Sequence, residues 1–288
     1  MKKNCFCLVQ IEIVLKKLSH ISRYPVYIRL GIFIFLLLLI WLPFAIPIYL
    51  FLDDSNLVSL LTMGLLYGEF IFLLRFFGKK VYRLSPVFPH YGLEVNKSSG
   101  FELVKGLLIG FLFTFTLFTV EYLLEWLSFQ PPTKNGLQLI LEGLLLGLGV
   151  GFAEELLFRG WLLTELQKDY RSVVAIWVNA IIFAFLHFLK PIEEIMRTFP
   201  QFPGLVLLGL TLIWAKQSHK GRLAIAIGLH GGLVWAYYIV NAGQLVKYSE
   251  QIHPWIVGVN GNPLAGIMGL FFLVVLGVWM RGGRKLKV

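Results

Sequence analysis

The chain has 288 residues, of which 57% are hydrophobic and only 15% charged, and its mean hydropathy is +0.75. A water-facing domain carries about 25% charged residues, so this composition excludes a soluble enzyme, a disordered tail protein and a nucleic-acid-binding domain. With a net charge of +10, the question is then where the charge sits.

Residues 1–24 alternate apolar and basic positions, among them Ile11, Ile13, Val14, Leu15, Lys16 and Lys17, a pattern suited to the inner membrane surface. Cys5 and Cys7 are the only cysteines. On the inner side they are expected to be reduced, and a C-x-C pair alone reads as two inert thiols. A helix needs about 20 mostly apolar residues to cross a bilayer. Leu30–Leu52 is the first such run. It has no charge and no small-residue cleavage site, so it reads as a span and not as a signal peptide. Pro43 and Pro47 are expected to kink it. Further spans follow at Leu57–Leu74, Gly106–Trp126, Gly136 to about Leu163, Ser172–Leu189, Pro203–Ala215, Leu223–Val246 and Pro254–Met280. The breaks between them read as loops: Asp53 to Asn56, Tyr82–Gly100, Pro131-Pro132, Lys168 to Arg171, Lys190–Pro203 and Asn241–Pro263.

These runs predict an all-α polytopic membrane helix bundle of about eight transmembrane helices, since they are too long and leucine-rich for barrel strands. With the N-terminus inside, the outer segments hold only Lys134, Lys190, Arg197 and Lys247, and the inner ones hold the other 22 of the 26 Lys and Arg. The positive-inside rule then places both termini in the cytoplasm, with the chain multi-pass in the plasma membrane or another inner membrane. The expected organisation is a basic N-terminal segment (1–29), three helices (30–135), a core (136–245) and a last loop, helix and basic tail (246–288).

Ionisable groups within spans are costly and need a reason. Glu155 and Arg159 stand at i,i+4 with the acid first, the favoured order for a helical ion pair. Adjacent Glu154 points about 100° away, so the two carboxylates are not expected to serve one partner equally. Glu154 is left over, and a carboxylate without a partner at depth fits a general base. His187 and His230, on two other spans, are its candidate partners, while His20, His90, His219 and His253 fall in loops. Gly143, Gly147 and Gly151 line one helix face before Glu154, and Gly228, Gly231 and Gly232 surround His230; such small-residue stripes let helix backbones approach closely. Glu121 and Glu125 form an i,i+4 acidic pair that reads as interfacial and stands as a reserve site. Glu69, Glu102 and Glu142 also fall in or near spans.

The run Glu154-Glu155-Leu156-Leu157-Phe158-Arg159-Gly160 resembles the E-E-x-x-x-R motif of the CPBP family, which contains the CAAX-processing endopeptidases, bacteriocin-processing and immunity proteins and related intramembrane proteases. Phe183 to His187 resembles its F-x-x-x-H motif, and His230 stands where its third motif, H-x-x-x-N or H-x-x-x-D, begins. The resemblance covers about residues 136–245. It implies an intramembrane endopeptidase in which Glu154 and His187 activate a water and His230 stabilises the oxyanion, with Glu155, Arg159 and Phe183 in support. It implies membrane lipid and a peptide or protein substrate as partners, and no nucleic acid. A zinc held by Glu154, His187 and His230 and a metal-free general base are both chemically open.

One position departs from the motif. Val234 stands where the third motif has Asn or Asp, and losing one oxyanion donor costs about 100- to 1000-fold in turnover. Asn179 and Asn241 are the candidate substitutes. Val234 also favours the alternative of a non-catalytic membrane scaffold or binding protein. A transporter would call for an inverted repeat, and none is visible. Counted at 1.5 Å per residue from the inner ends, Glu154, His187 and His230 lie at about 20, 24 and 12 Å, which is uneven for one site.

Overall fold

The computed structural model describes residues 19–283, so the expectations for Cys5, Cys7 and the N-terminal amphipathic pattern before residue 19 lie outside it. The chain forms two compact units, one up to His90 and one from Tyr91 onward.

The first unit holds α1 (Val26–Phe51) and α2 (Ser55–Lys80). Pro43 and Pro47 both lie inside α1. The turn expected at Asp53 to Asn56 ends α1 and caps α2, because the Asp54 carboxylate accepts from the backbone N–H groups of Asn56 and Leu57. Phe33 of α1 meets Phe70 and Phe77 of α2 edge to face, with ring centroids 5.9 and 5.1 Å apart. Leu39, Phe44, Leu50 and Phe51 point outward and exposed, as lipid-facing side chains do.

The second unit runs through α3 (Lys97–Leu123), β1 (Leu127–Phe129), α4 (Gly136–Asp169), α5 (Ser172–Leu186), α6 (Ile192–Thr198), α7 (Phe202–Ser218), α8 (Ala224–Ala242), β2 (Val246–Tyr248) and α9 (Ile267–Gly282). Asn96 and Asn135 cap α3 and α4 with their side-chain oxygens. Among the described residues, six helical stretches are long and apolar enough to cross a membrane, and α5 and α9 are shorter apolar helices. Each of the eight apolar runs is thus helical, and the molecule is an all-α polytopic bundle.

Several stretches differ from the sequence reading, among them Tyr82–Gly100, where Val87–His90 is helical and α3 already begins at Lys97. Lys190–Pro203 is not a loop: α6 and a 3-10 turn carry it into α7. Glu193 and Glu194 in the first turn of α6 and Arg197 in its last suit the helix dipole, and Pro203 sits in the first turn of α7, where its missing N–H costs nothing. The last span begins at Ile267, after short turns over 254–265. Leu127–Phe129, just before the Pro131-Pro132 break, and Val246–Tyr248, within the Asn241–Pro263 break, pair as antiparallel strands, with Leu127 opposite Tyr248 and Phe129 opposite Val246.

Helix α8 lies between α3 and α4, and glycine governs both contacts. A Cβ at Gly147 of α4 would meet the Gly231 carbonyl of α8, and one at Gly151 would lie 3.0 Å from the Gly231 nitrogen. On the other side, a Cβ at Gly228 or Gly232 would run into the Leu103 or Leu107 carbonyl of α3. These backbones touch because no side chain intervenes. On the far side of α5, α7 packs against both α5 and α9.

Candidate active site

Midway along α4 the chain changes pitch, and residues Glu155–Leu162 form a π-helical segment. Its wider ladder shows where the Leu163 N–H reaches the Phe158 carbonyl, five residues back. Glu154 ends the regular part of the helix and Glu155 opens the wide part.

Three helices bring the predicted residues together. Oε2 of Glu154 (α4) lies 4.0 Å from Nε2 of His187 (the C-cap of α5) and 3.9 Å from Nε2 of His230 (α8). The Glu154 and His187 side chains are 24% and 33% exposed and that of His230 only 5%, so the cluster opens on the Glu154–His187 side. Each imidazole is oriented by its other nitrogen. His187 Nδ1 lies 2.7 Å from the Phe183 carbonyl, which can only accept, so the proton sits on Nδ1 and Nε2 turns toward Glu154. His230 Nδ1 lies 3.0 Å from Oε1 of Glu155 and donates to it.

Glu155 thus does more than the expected ion pair. The same Oε1 accepts from Arg159 Nη1 at 2.9 Å, and both side chains are fully buried. Arg159 also donates to the Gly209 carbonyl of α7 at 3.3 Å, and its guanidinium lies 4.2 Å from the centre of the Phe183 ring. Phe183, fully buried, stands edge-on to His187 with centroids 4.6 Å apart. The two carboxylates serve His230 unequally: Glu155 bonds its Nδ1 at 3.0 Å, whereas Glu154 stands 3.9 Å from its Nε2. They face opposite nitrogens of the ring from either side of the change in helical pitch.

The segment read as the inner loop at 216–222 is packed into the protein. Lys216 Nζ donates to the Arg159 carbonyl at 2.6 Å, the Leu223 N–H donates to the Gly92 carbonyl at 2.8 Å, and Leu223 is fully buried.

Val234, one turn beyond His230, lines with it a cavity of about 150 Å³ whose wall includes Phe113, Leu117, Leu208 and Leu273. Neither expected substitute donor reaches His230. Asn179 spends its amide on the Phe158 carbonyl at 2.8 Å, and Asn241 lines a different cavity beside Gln244 and Tyr248. The reserve pair separates. Glu121 is fully buried within the protein, whereas Glu125 is exposed with φ +60°. Burial and the nearby Glu121 push the Tyr248 hydroxyl above its ordinary pKa.

The donor set of one carboxylate and two imidazoles suits zinc, but its spacing does not. Two ligands about 2.1 Å from one tetrahedral zinc lie about 3.4 Å apart, closer than the 3.9 and 4.0 Å found here. Among the described residues, no group of three His, Cys, Asp or Glu is spaced to hold a metal ion.

Residues 136–236 match the family model described as Rce1-like, type II CAAX prenyl endopeptidase Rce1-like. Over these residues the chain is similar to the Rce1-like members of the CPBP family. The Rce1-like region is about a third of the chain and contains Glu154, His187 and His230, and the match supports a CAAX-type intramembrane protease fold. No curated protein and no solved structure matches the chain.

Several contributors were not legible in the sequence. The π segment has no sequence signature of its own. Lys216 reads as one more inner-side positive charge, and Asn179 reads as a donor to the reaction.

Proposed function

We propose that the protein is an intramembrane endopeptidase that hydrolyses peptide bonds of a membrane-associated substrate, with Glu154, His187 and His230 as its catalytic residues and both termini in the cytoplasm. The observation that carries this reading is the convergence of one carboxylate and two imidazole Nε2 atoms from three helices across gaps of 3.9 and 4.0 Å. A gap of that width suits a water bonded to both sides. A water held between Glu154 Oε2 and His187 Nε2 gives its proton to Glu154 as its oxygen attacks the scissile carbonyl. Glu154 then passes that proton to the leaving amine. His230 faces the oxyanion through Nε2, and donation from there needs the ring to hold both protons, since Nδ1 already points one at Glu155.

The test is purified protein with a prenylated CAAX-type peptide, its unprenylated counterpart and a mixed peptide library, read by mass spectrometry. Cleavage that a chelator leaves unchanged is the expected result. Failure to cleave any of them would favour the scaffold alternative, which the apolar wall at Val234 supports.

Val234→Asn restores the third motif beside His230 in a residue of similar volume. We expect turnover to rise, with about 3 kcal/mol, or roughly 100-fold, as the ceiling. The check is the cleavage rate of wild type, Val234→Asn and His230→Ala side by side. An unchanged rate in His230→Ala would remove His230 from the site.

A further inference from the structure

We infer that Asn179 and Lys216 are positioning residues, which hold the π segment of α4 in the register that turns Glu154 and Glu155 toward the two nitrogens of His230. The inference rests on the proposed hydrolytic role of those residues and extends it to side chains outside the Glu154, His187 and His230 cluster.

Three consecutive carbonyls carry the argument. The Phe158 carbonyl accepts from Asn179 Nδ2 at 2.8 Å, the Arg159 carbonyl from Lys216 Nζ at 2.6 Å, and the Gly160 carbonyl from Thr164 Oγ1 at 2.5 Å. Side-chain donors that insert into a helical ladder are an established cause of local widening. Thr164 lies on α4 itself, but Asn179 belongs to α5 and Lys216 to α7. Each therefore fixes the π segment against a neighbouring helix, and Asn179 does so on the helix that ends at His187.

The plainer readings fall short. Lys216 stands in the last turn of α7, where any cation suits the helix dipole, yet its ammonium bonds a carbonyl of α4. Asn179 is fully buried, and an amide there without a partner would be costly. Its donor goes to a carbonyl that already accepts from Leu163, a bond that adds hold where the backbone ladder alone would suffice.

A return of the segment to regular α-helix would rotate Glu154 and Glu155 relative to Arg159, and a misplacement of about 1 Å in a catalytic group costs about 100-fold in rate. The experiment compares wild type, Asn179→Leu, Lys216→Met, Lys216→Gln and Lys216→Arg in detergent. The expected result is a fall in kcat of about 10- to 100-fold for Asn179→Leu and Lys216→Met, with KM within about threefold of wild type. Lys216→Arg and Lys216→Gln, which keep a donor, should recover most of the rate. A parallel readout does not need catalysis: in protein with ¹⁵N-labelled histidine, the hydrogen-bonded Nδ1 proton of His230 should be visible in wild type and lost in Asn179→Leu. Wild-type kcat and an unchanged His230 signal in both donor-lacking variants would overturn the inference. If Lys216→Met does not accumulate as folded protein, Asn179→Leu decides the matter. If wild type cleaves nothing, the proposed function fails, and the His230 signal alone decides whether these residues hold the register.

Discussion

Glu154→Gln should reduce cleavage by about 10²- to 10⁴-fold, the contribution usual for a positioned general base, and leave the fold intact. The structure separates these two effects. Oε2 of Glu154 is buried without a hydrogen-bond partner among the described residues, and it faces two imidazoles across gaps too wide for direct bonds. Gln fills the same volume but cannot accept a proton from water. The measurements are the kcat of the purified variant and its thermal midpoint in the same detergent. A midpoint close to wild type with lost turnover is the expected pair. Retained turnover would take the base role from Glu154.

The opposite pattern is expected at Arg159. Arg159→Met removes a fully buried guanidinium that bonds Glu155, reaches the Gly209 carbonyl and covers the Phe183 ring. Removing one partner of a buried ion pair costs about 3–5 kcal/mol, because the other charge stays buried. Lower expression and a large drop in unfolding midpoint should follow, and Arg159→Lys should not restore it, since one ammonium cannot reproduce a planar fork. Glu155→Gln should lower both stability and turnover, because one oxygen holds both Arg159 and His230. A loss below about 1 kcal/mol in Arg159→Met would show that the pair contributes little.

Much of the fold can be read from the sequence, because in lipid the requirement for internally satisfied backbones leaves helices as the solution for long apolar runs. The eight runs are visible for that reason. Their ends are less so: Lys190–Pro203 is polar enough to read as a loop and still forms α6, with Glu194 and Arg197 paired at 2.7 Å. At the site, Glu154, His187 and His230 stand out because ionisable groups at depth need a reason, and the Glu155–Arg159 pair follows from spacing alone. What the sequence hides is tertiary. The second partner of Glu155 is 75 residues away, and the pitch change that lets Glu154 and Glu155 address one ring depends on helices α5 and α7.

The glycine contacts on both sides of α8 have a mechanical consequence. Where backbone lies against backbone, sliding one helix past its neighbour brings carbonyls into collision, so α3, α8 and α4 resist shear as one slab. Glu154 and His230 are both mounted on that slab, and their separation is set by main-chain atoms. His187 is mounted differently, at the C-cap of a short helix, followed by exposed Leu189 and Ile192. Of the three side chains, it is the one that the molecule can displace without parting the slab.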